Sequence, residues 1–321
     1  MVPEPALVER FARDLDPLIA PRIRFGVAVS GGPDSLALLL LAAAARPNEI
    51  EAATVDHALR AGSREEAKAV AEVCERLGVP HFVLTADWAS KPATAIQERA
   101  RSARYRLLAE WANERGLAAI VTAHQLDDQA ETLVMRLARG SGVRGLAGMR
   151  SRSVVPGSNL PLIRPLLGWR RSELAAICDA ANIQPAADPS NEDGQFERVR
   201  TRRALGQSEW LDPHALAVSA RNLGDADRAL EWATLQEWAR AVTNGAGEIV
   251  YRPLDAPEEI RRRIASEAVS RLATEGEGRE LRGRELDRLL ESLASGGVAT
   301  IRGVLCSGGD EWRFVRAPAR R

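Results

Sequence analysis

Between Ser30 and Ser35 the chain reads Ser-Gly-Gly-Pro-Asp-Ser, two hydroxyls, a carboxylate and two glycines set between an apolar run, "FGVAV", and an apolar stretch, "LALLLLAAAA". A strand that ends in such a small-residue turn leaves the next helix's first amide groups unpaired and aimed at one point, where the helix dipole adds partial positive charge. An anion would sit there. Gly31 and Gly32 permit close approach and unusual dihedrals, and Pro33 suits the first helical position. Ser30 and Ser35 supply hydroxyls, and Asp34 a carboxylate for a metal or a cap. The pattern GxxxxGK[ST] is absent, so no loop lysine neutralises phosphates; Mg2+ or arginine would have to do so.

A second chemical group is "HQLDDQAET", in which Asp127 and Glu131 are four apart and Asp128 and Glu131 three apart, so that on a helix these acids share one face near His124. Clustered carboxylates of this kind could hold Mg2+ or the two amines of a lysine substrate; the bland reading is a capped, solvated helix start. In "QERARSARYRLL", Glu98, Arg101, Tyr105 and Leu108 follow helical spacing with Arg104 beside them, offering guanidinium groups to phosphate or to a base, or else a surface ion-pair helix. Asp56-His57 closes an apolar run and could line a nucleotide pocket.

Charge points the same way locally but not globally. Forty-four basic residues balance forty-four acidic ones, so net charge alone names no polyanion partner. From Thr132 to Ser172, however, eight arginines occur with no Asp or Glu, and Arg198, Arg200, Arg202 and Arg203 follow. Lys68 and Lys91 are the only lysines, so the positive groups are almost all guanidinium, which pairs well with phosphate. Gly140, Gly142 and Gly145 spell GxGxxG but follow a helix, which defeats a dinucleotide reading. A backbone loop flanked by Arg139 and Arg144 fits nucleic-acid contact better.

Those groups need elements to place them. Apolar runs alternate with helix-period segments through the first half, the signature of a parallel sheet with helices on both faces. Ligands in such folds lie beyond the carboxyl ends of the strands, where Ser30 to Ser35, Asp56-His57 and His124 all fall. "SRSVVPGSNLPLIRPLLGW" reads as a loop or short hairpin, followed by a helix from about Arg170 to Asn182. From Pro213 the pattern turns helical again and ends in an apparent strand pair with Gly308-Gly309 near the turn. The expected division is residues 1–210 as the α/β domain and 211–321 as a smaller, mainly helical domain with a C-terminal hairpin. No apolar run reaches membrane-spanning length, and Glu4, Glu9, Asp14 and Asp16 stand where a leader avoids acids, so the expected compartment is the cytoplasm. Cys74, Cys178 and Cys306 lie far apart with no CxxC, which indicates neither disulfides nor a thiolate metal site.

"SGGPDS" after a strand resembles the pyrophosphate loop of the N-type ATP pyrophosphatase (PP-loop) superfamily, whose members adenylate an oxygen and release pyrophosphate. "VDHALR", "QERARSARYRLL", "TAHQLDDQAETLVMRLARGSGVRGLAGM", "IRPLL" and "DPSNEDGQFERVRTR" stand in the order and spacing of the tRNA(Ile)-lysidine synthase family, and together span most of residues 25 to 205. Gln125 departs from that pattern, since many members carry a second histidine there, and the length resembles members with one small C-terminal domain instead of two. The resemblance implies a Rossmann-like PP-loop ATPase fold, ATP and Mg2+ as co-substrate and cofactor, and free L-lysine and the CAU-anticodon isoleucine tRNA as partners. The implied reaction ligates lysine to C2 of the wobble cytidine through an adenylated tRNA, giving lysidine and changing codon reading from AUG to AUA. It implies catalytic roles among Asp34, Asp127, Asp128, Glu131 and Arg104. Nucleotide binding falls to Ser30, Gly31, Gly32, Pro33, Asp34, Ser35, Asp56, His57 and His124, with Asp34 also toward Mg2+, and tRNA contact to Arg101, Arg139, Arg144, Arg198 and Arg202.

Two other readings are open at this stage. A tRNA thiolase on the same fold predicts paired cysteines, and a non-catalytic ATP- or RNA-binding module predicts a degraded loop or missing acids. The sequence leaves the oligomeric state open, a homodimer included.

Overall fold

The computed structural model describes residues 2–57, 63–88, 96–186, 195–253, 255–273, 281 and 283–317. Of the sequence blocks above, residues 58–60 and 188–194 lie outside these, as does the side chain of Gln97. Contacts divide the chain into two units, Met1–Gly224 and Asp225–Arg321.

In the first unit the order is α1 (Pro5–Leu15), β1 (Phe25–Ala28), α2 (Pro33–Ala45), β2 (Ile50–Asp56), α3 (Ser63–Leu77), β3 (His81–Thr85) and α4 (Ile96–Glu114). It continues through β4 (Ile120–Val121), α5 (Leu126–Leu137), α6 (Val143–Leu146), β5 (Arg152–Val154), β6 (Pro161–Ile163), α7 (Arg171–Ala180), α8 (Glu197–Gln207) and the start of α9 (Pro213–Ala241). The sheet runs β3-β2-β1-β4-β6-β5, parallel throughout except for β5, which pairs antiparallel with β6 as a hairpin. The Pro/Gly/Ser-rich stretch therefore builds the sheet's edge.

α2 is apolar on every side and is buried to match, packing against α1, α3 and α7 on one face of the sheet. On the other face α4 lays Tyr105, Leu108 and Trp111 against Ala53, Ile120 and Leu162. Gly26 in the central strand makes this possible, because a Cβ there would fall 2.5 Å from the Trp111 ring. With both faces covered, the carboxyl ends of the adjacent strands β2, β1, β4 and β6 open along one edge. Asp56 ends β2, Ser30 stands two residues past β1, and Thr122 to His124 and Arg164 follow β4 and β6 directly.

The second unit comprises the rest of α9 with β7 (Val242–Gly245), β8 (Glu248–Tyr251), α10 (Glu258–Leu272), α11 (Arg284–Ala294), β9 (Val298–Ile301), β10 (Val304–Ser307) and β11 (Trp312–Arg316). Its sheet, β7-β8-β11-β10-β9, is antiparallel throughout and shares a core with α10 and α11 around Tyr251, Ile264, Leu293 and Phe314. The stretch expected to hold a strand pair holds three strands. Ile301 pairs with Val304 across a two-residue turn whose residues, Arg302 and Gly303, have φ of 49° and 70°. That is the double left-handed turn that matches strand twist, and an arginine in it gives no turn signal.

Candidate active site

β1 delivers Ser30 and then a turn in which Gly31 takes φ 86°, a left-handed conformation that a side chain would strain. The Gly31 carbonyl is held by the Ala186 amide at 2.9 Å. The Ser35 hydroxyl donates to the Gly32 carbonyl at 2.9 Å and accepts the Ser30 amide at 3.1 Å, so the loop is knotted from within. Gly32 is the N-cap of α2 with Pro33 just inside it, and no side chain caps the helix. Its first amides are thus left for a ligand, the arrangement an anion site requires.

Asp34 does not cap α2. Its Oδ1 is shielded from solvent with no hydrogen-bond partner among the described residues, and burial raises the carboxyl to about 6, with Asp128 adding to the rise while Arg171, the Gln125 side chain and Arg202 oppose it. A lone buried carboxylate oxygen of this kind fits a hard cation such as Mg2+, which binds through one or two carboxylates plus phosphate oxygens. Among the described residues no group of three or more His, Cys, Asp or Glu could cage a metal.

The three acids of α5 have separate duties. Gln125 is the N-cap, accepting the Asp127 amide on Oε1, while Asp128 Oδ2 accepts the Gln125 amide at 3.1 Å. Asp127 Oδ2 accepts the backbone amide of Arg171 at 2.9 Å, at the start of α7. Glu131, 1% exposed, lies under three guanidinium groups, from Arg171 at 3.1 Å, Arg198 at 2.9 Å and Arg202 at 2.8 Å. Burial works against its charge, but the Arg202 hydrogen bond and the three cations hold its carboxyl below the ordinary value. Asp128 Oδ1 is held more loosely, with Arg198 at 3.6 Å and Arg171 at 3.7 Å, and burial raises its carboxyl.

Around His124 positive charge gathers. His124, its Nδ1 2.9 Å from the Thr122 hydroxyl, is pushed down to about 3 by burial and by Arg164, Arg198, Arg101 and Arg104. It is an uncharged imidazole surrounded by guanidinium groups. Burial and the Arg104 charge likewise lower His57, against the opposing pull of Asp56. Among the described residues no carboxylate pairs with Arg101, Arg104 or Arg164. Arg164, 8% exposed, donates instead to the Arg150 carbonyl and the Ser153 hydroxyl, both at 2.9 Å, and Arg101 lies over the Tyr105 ring. Cations left without a carboxylate partner among the described residues, beside a turn of free amides, can accept a polyphosphate or an RNA backbone.

The structure thus brings together the Ser30 to Ser35 loop, Asp128, Glu131, His57, His124, Arg101, Arg104, Arg198 and Arg202. Arg198 and Arg202 turn inward onto Glu131. Arg139 stands outside this group, 60% exposed and paired with Glu197, and Arg144 lies exposed on α6. Sequence reasoning passed over Arg164 and Arg171 except as members of a charge run, and gave no role to Gln129. The Gln129 carboxamide grips both the amide and the carbonyl of Met149, at 2.6 and 2.7 Å, and Arg136 donates to the Gly145 and Gly148 carbonyls. Only the helical spacing of Gln125, Gln129 and Arg136 hinted at a shared inner face. An open depression of about 550 Å³, lined by Asp87, Trp88, Glu98, Arg99, Ser102, Ala103 and Arg106, includes none of the residues assigned to chemistry here.

The PP-loop domain family matches residues 6–209. Along almost the whole chain the sequence is 48% identical to the tRNA(Ile)-lysidine synthase of Novosphingobium aromaticivorans, covering 97% of this chain and 94% of that one. The chain belongs to the tRNA(Ile)-lysidine synthase family. The corresponding enzyme of Zymomonas mobilis subsp. mobilis is 42% identical over 93% of this chain and 90% of its own. Among solved structures, the U34-tRNA thiolase NcsA from Methanococcus maripaludis superposes with a TM-score of 0.56 at 17% identity, covering 70% of this chain and 80% of that one, a likeness of fold alone. The tRNA(Ile)-lysidine synthase blocks read from the sequence, so far as they are described, map onto the carboxyl edge of the first sheet and the helices α4, α5 and α8 beside it.

Proposed function

We propose that this protein ligates L-lysine to C2 of the wobble cytidine of the CAU-anticodon isoleucine tRNA, with ATP converted to AMP and pyrophosphate. The observation that carries the reading is the convergence, on one sheet edge, of an uncapped anion loop, an unpartnered Asp34 oxygen and a wall of arginines, in a chain 48% identical to a tRNA(Ile)-lysidine synthase.

In the first step the cytidine C2 oxygen attacks the α-phosphate and pyrophosphate leaves into the Ser30 to Ser35 loop. The free amides of α2 and the guanidinium groups of Arg101, Arg104 and Arg164 stabilise the charge that develops. Asp34 would hold Mg2+, which when bound neutralises phosphate charge. In the second step the lysine ε-amine attacks C2, AMP departs, and the amine loses a proton. Of the three acids, Asp128 suits that proton, since Asp127 and Glu131 are more tightly engaged and a raised carboxyl is the better base. An unpaired anticodon loop can present a splayed base to such a pocket.

Residues 211–321 we assign to the tRNA body, with phosphate contact from arginine and with Trp232 exposed on α9. Among the described residues no helix is long and apolar enough to cross a membrane, and the cytoplasm is where tRNA, ATP and lysine meet. A thiolase reading is less well supported: all three thiols are buried, and burial raises Cys74 and Cys306 to about 12 and Cys178 to about 11.

The test is incubation of the purified chain with ATP, Mg2+, L-lysine and a CAU-anticodon isoleucine tRNA, followed by nucleoside mass spectrometry. Lysidine that forms only with lysine present supports the reading. Pyrophosphate without lysidine shows a different nucleophile, and no pyrophosphate with any tRNA reduces the chain to a binding module.

A further inference from the structure

A buried donor and a buried acceptor meet behind the anion loop, and neither is satisfied. Gln125 is 0% exposed, and its Oε1 is committed to the Asp127 amide. That bond fixes Oε1, and the carboxamide lies against Asp34. Among the described residues Nε2 has no hydrogen-bond partner, and neither has Asp34 Oδ1. The two are close enough that the carboxamide stabilises the Asp34 carboxylate, yet they do not reach hydrogen-bond geometry with each other.

Unmade hydrogen bonds at buried groups are costly, and complementary neighbours ordinarily turn to bond one another. Here both are pinned, Gln125 by its cap and Asp34 in the first turn of α2. A third group satisfies both at once if it accepts a hydrogen bond on one side and is bound through a cation on the other. A phosphate oxygen with its counter-cation has that character. A sequence that wanted only a helix cap at this position would use Ser, Thr, Asp or Asn, which leave no orphaned amide.

We propose that Gln125 contacts the substrate, its Nε2 donating to a phosphate oxygen of ATP beside Asp34, so that one side chain both caps α5 and binds the polyphosphate. This rests on the ATP-consuming reaction proposed above. An imidazole at this position could likewise accept the cap on one nitrogen and donate from the other.

The experiment measures binding of ATP and, separately, of inorganic pyrophosphate by titration calorimetry with Mg2+ present, on the full chain and on three variants, with melting temperatures recorded without ligand. Gln125→Glu keeps the cap acceptor and loses the donor. Gln125→Ser supplies a short cap that cannot reach Asp34. Gln125→His retains a donor. The expected result is a loss of about tenfold or more in affinity for both ligands in Gln125→Glu and Gln125→Ser, recovery of most of it in Gln125→His, and tRNA affinity unchanged in all three. Wild-type affinity in Gln125→Glu or Gln125→Ser, or a loss that simply follows the melting temperature, overturns the contact and leaves Gln125 a cap. If the wild-type chain binds neither ATP nor pyrophosphate, the ATP-consuming reading itself has failed, and the Gln125 contact with it.

Discussion

The Asp127 carboxylate accepts the backbone amide of Arg171 at 2.9 Å, and the guanidinium of the same Arg171 returns to Glu131 at 3.1 Å. Two helices distant in sequence are thereby joined by one residue contacted at both ends. An acid expected to work on substrate also caps the next helix of the site.

Asp127→Ala should accordingly lower stability by about 1 kcal/mol, the ordinary value of a lost cap, while Asp127→Asn, whose side chain still accepts, should cost less than half of that. Urea unfolding of the two variants checks this. Equal losses would deny the capping role.

Glu131→Gln removes the negative charge that all three guanidinium groups share. Because Arg171, Arg198 and Arg202 are each roughly a third exposed and can rehydrate, the loss should be about 2 kcal/mol, below that of a fully buried pair. The carboxyl's folded value is lowered, so its contribution is complete above the unfolded value of 4.5 and disappears as pH falls through the folded one. The deficit of Glu131→Gln relative to wild type should shrink on acidification below pH 4.5. A pH-independent deficit would assign it to packing.

Asp34 has the opposite sign. Its carboxyl rises from 3.8 to about 6 on folding, so the folded chain binds the proton more tightly, and stability declines as pH rises through that window. Asp34→Asn should therefore stabilise the ligand-free protein at pH 8, by up to about 3 kcal/mol, with the gain vanishing below pH 4. The same variant should release no pyrophosphate. Thermal melts at pH 4 and pH 8, read beside a pyrophosphate assay, test both halves, and unaltered turnover would remove Asp34 from the reaction.

Arg139→Ala and Arg144→Ala should weaken tRNA binding several-fold and each lower the salt slope by about one. Among the described residues Arg139 is paired with Glu197 alone, at the surface, so stability should be nearly unchanged. Glu197→Gln, which releases Arg139, should tighten tRNA binding. Filter binding over a salt series decides, and an unaltered slope would return both arginines to the solvated surface.

Much of this site could be read beforehand because its signals are local. Strand-helix alternation, the small-residue turn at Ser30 to Ser35 and the three- and four-residue spacing of the α5 acids all follow from neighbours in sequence. What escaped was long-range: the Arg171 amide reached by Asp127, Gln129 clasping Met149, and Arg164 buried with no acid paired to it among the described residues, since nothing near those residues names their partners. In the second unit, β7 and β8 and the turn at Arg302-Gly303 were missed because neither the short strands nor an arginine at positive φ gives a local signal.

α4 acts as a measured strut. It is seated at Trp111 on the bare backbone of Gly26, and seven residues earlier, about 10 Å along its axis, it presents Arg104 toward His124. Slipping it by one residue would move that guanidinium roughly 1.5 Å and swing it by about 100°. The notch in the central strand is thus a gauge that sets where charge arrives two turns back along the helix, and a methyl group placed in it would displace Trp111 and with it the guanidinium that the same helix carries.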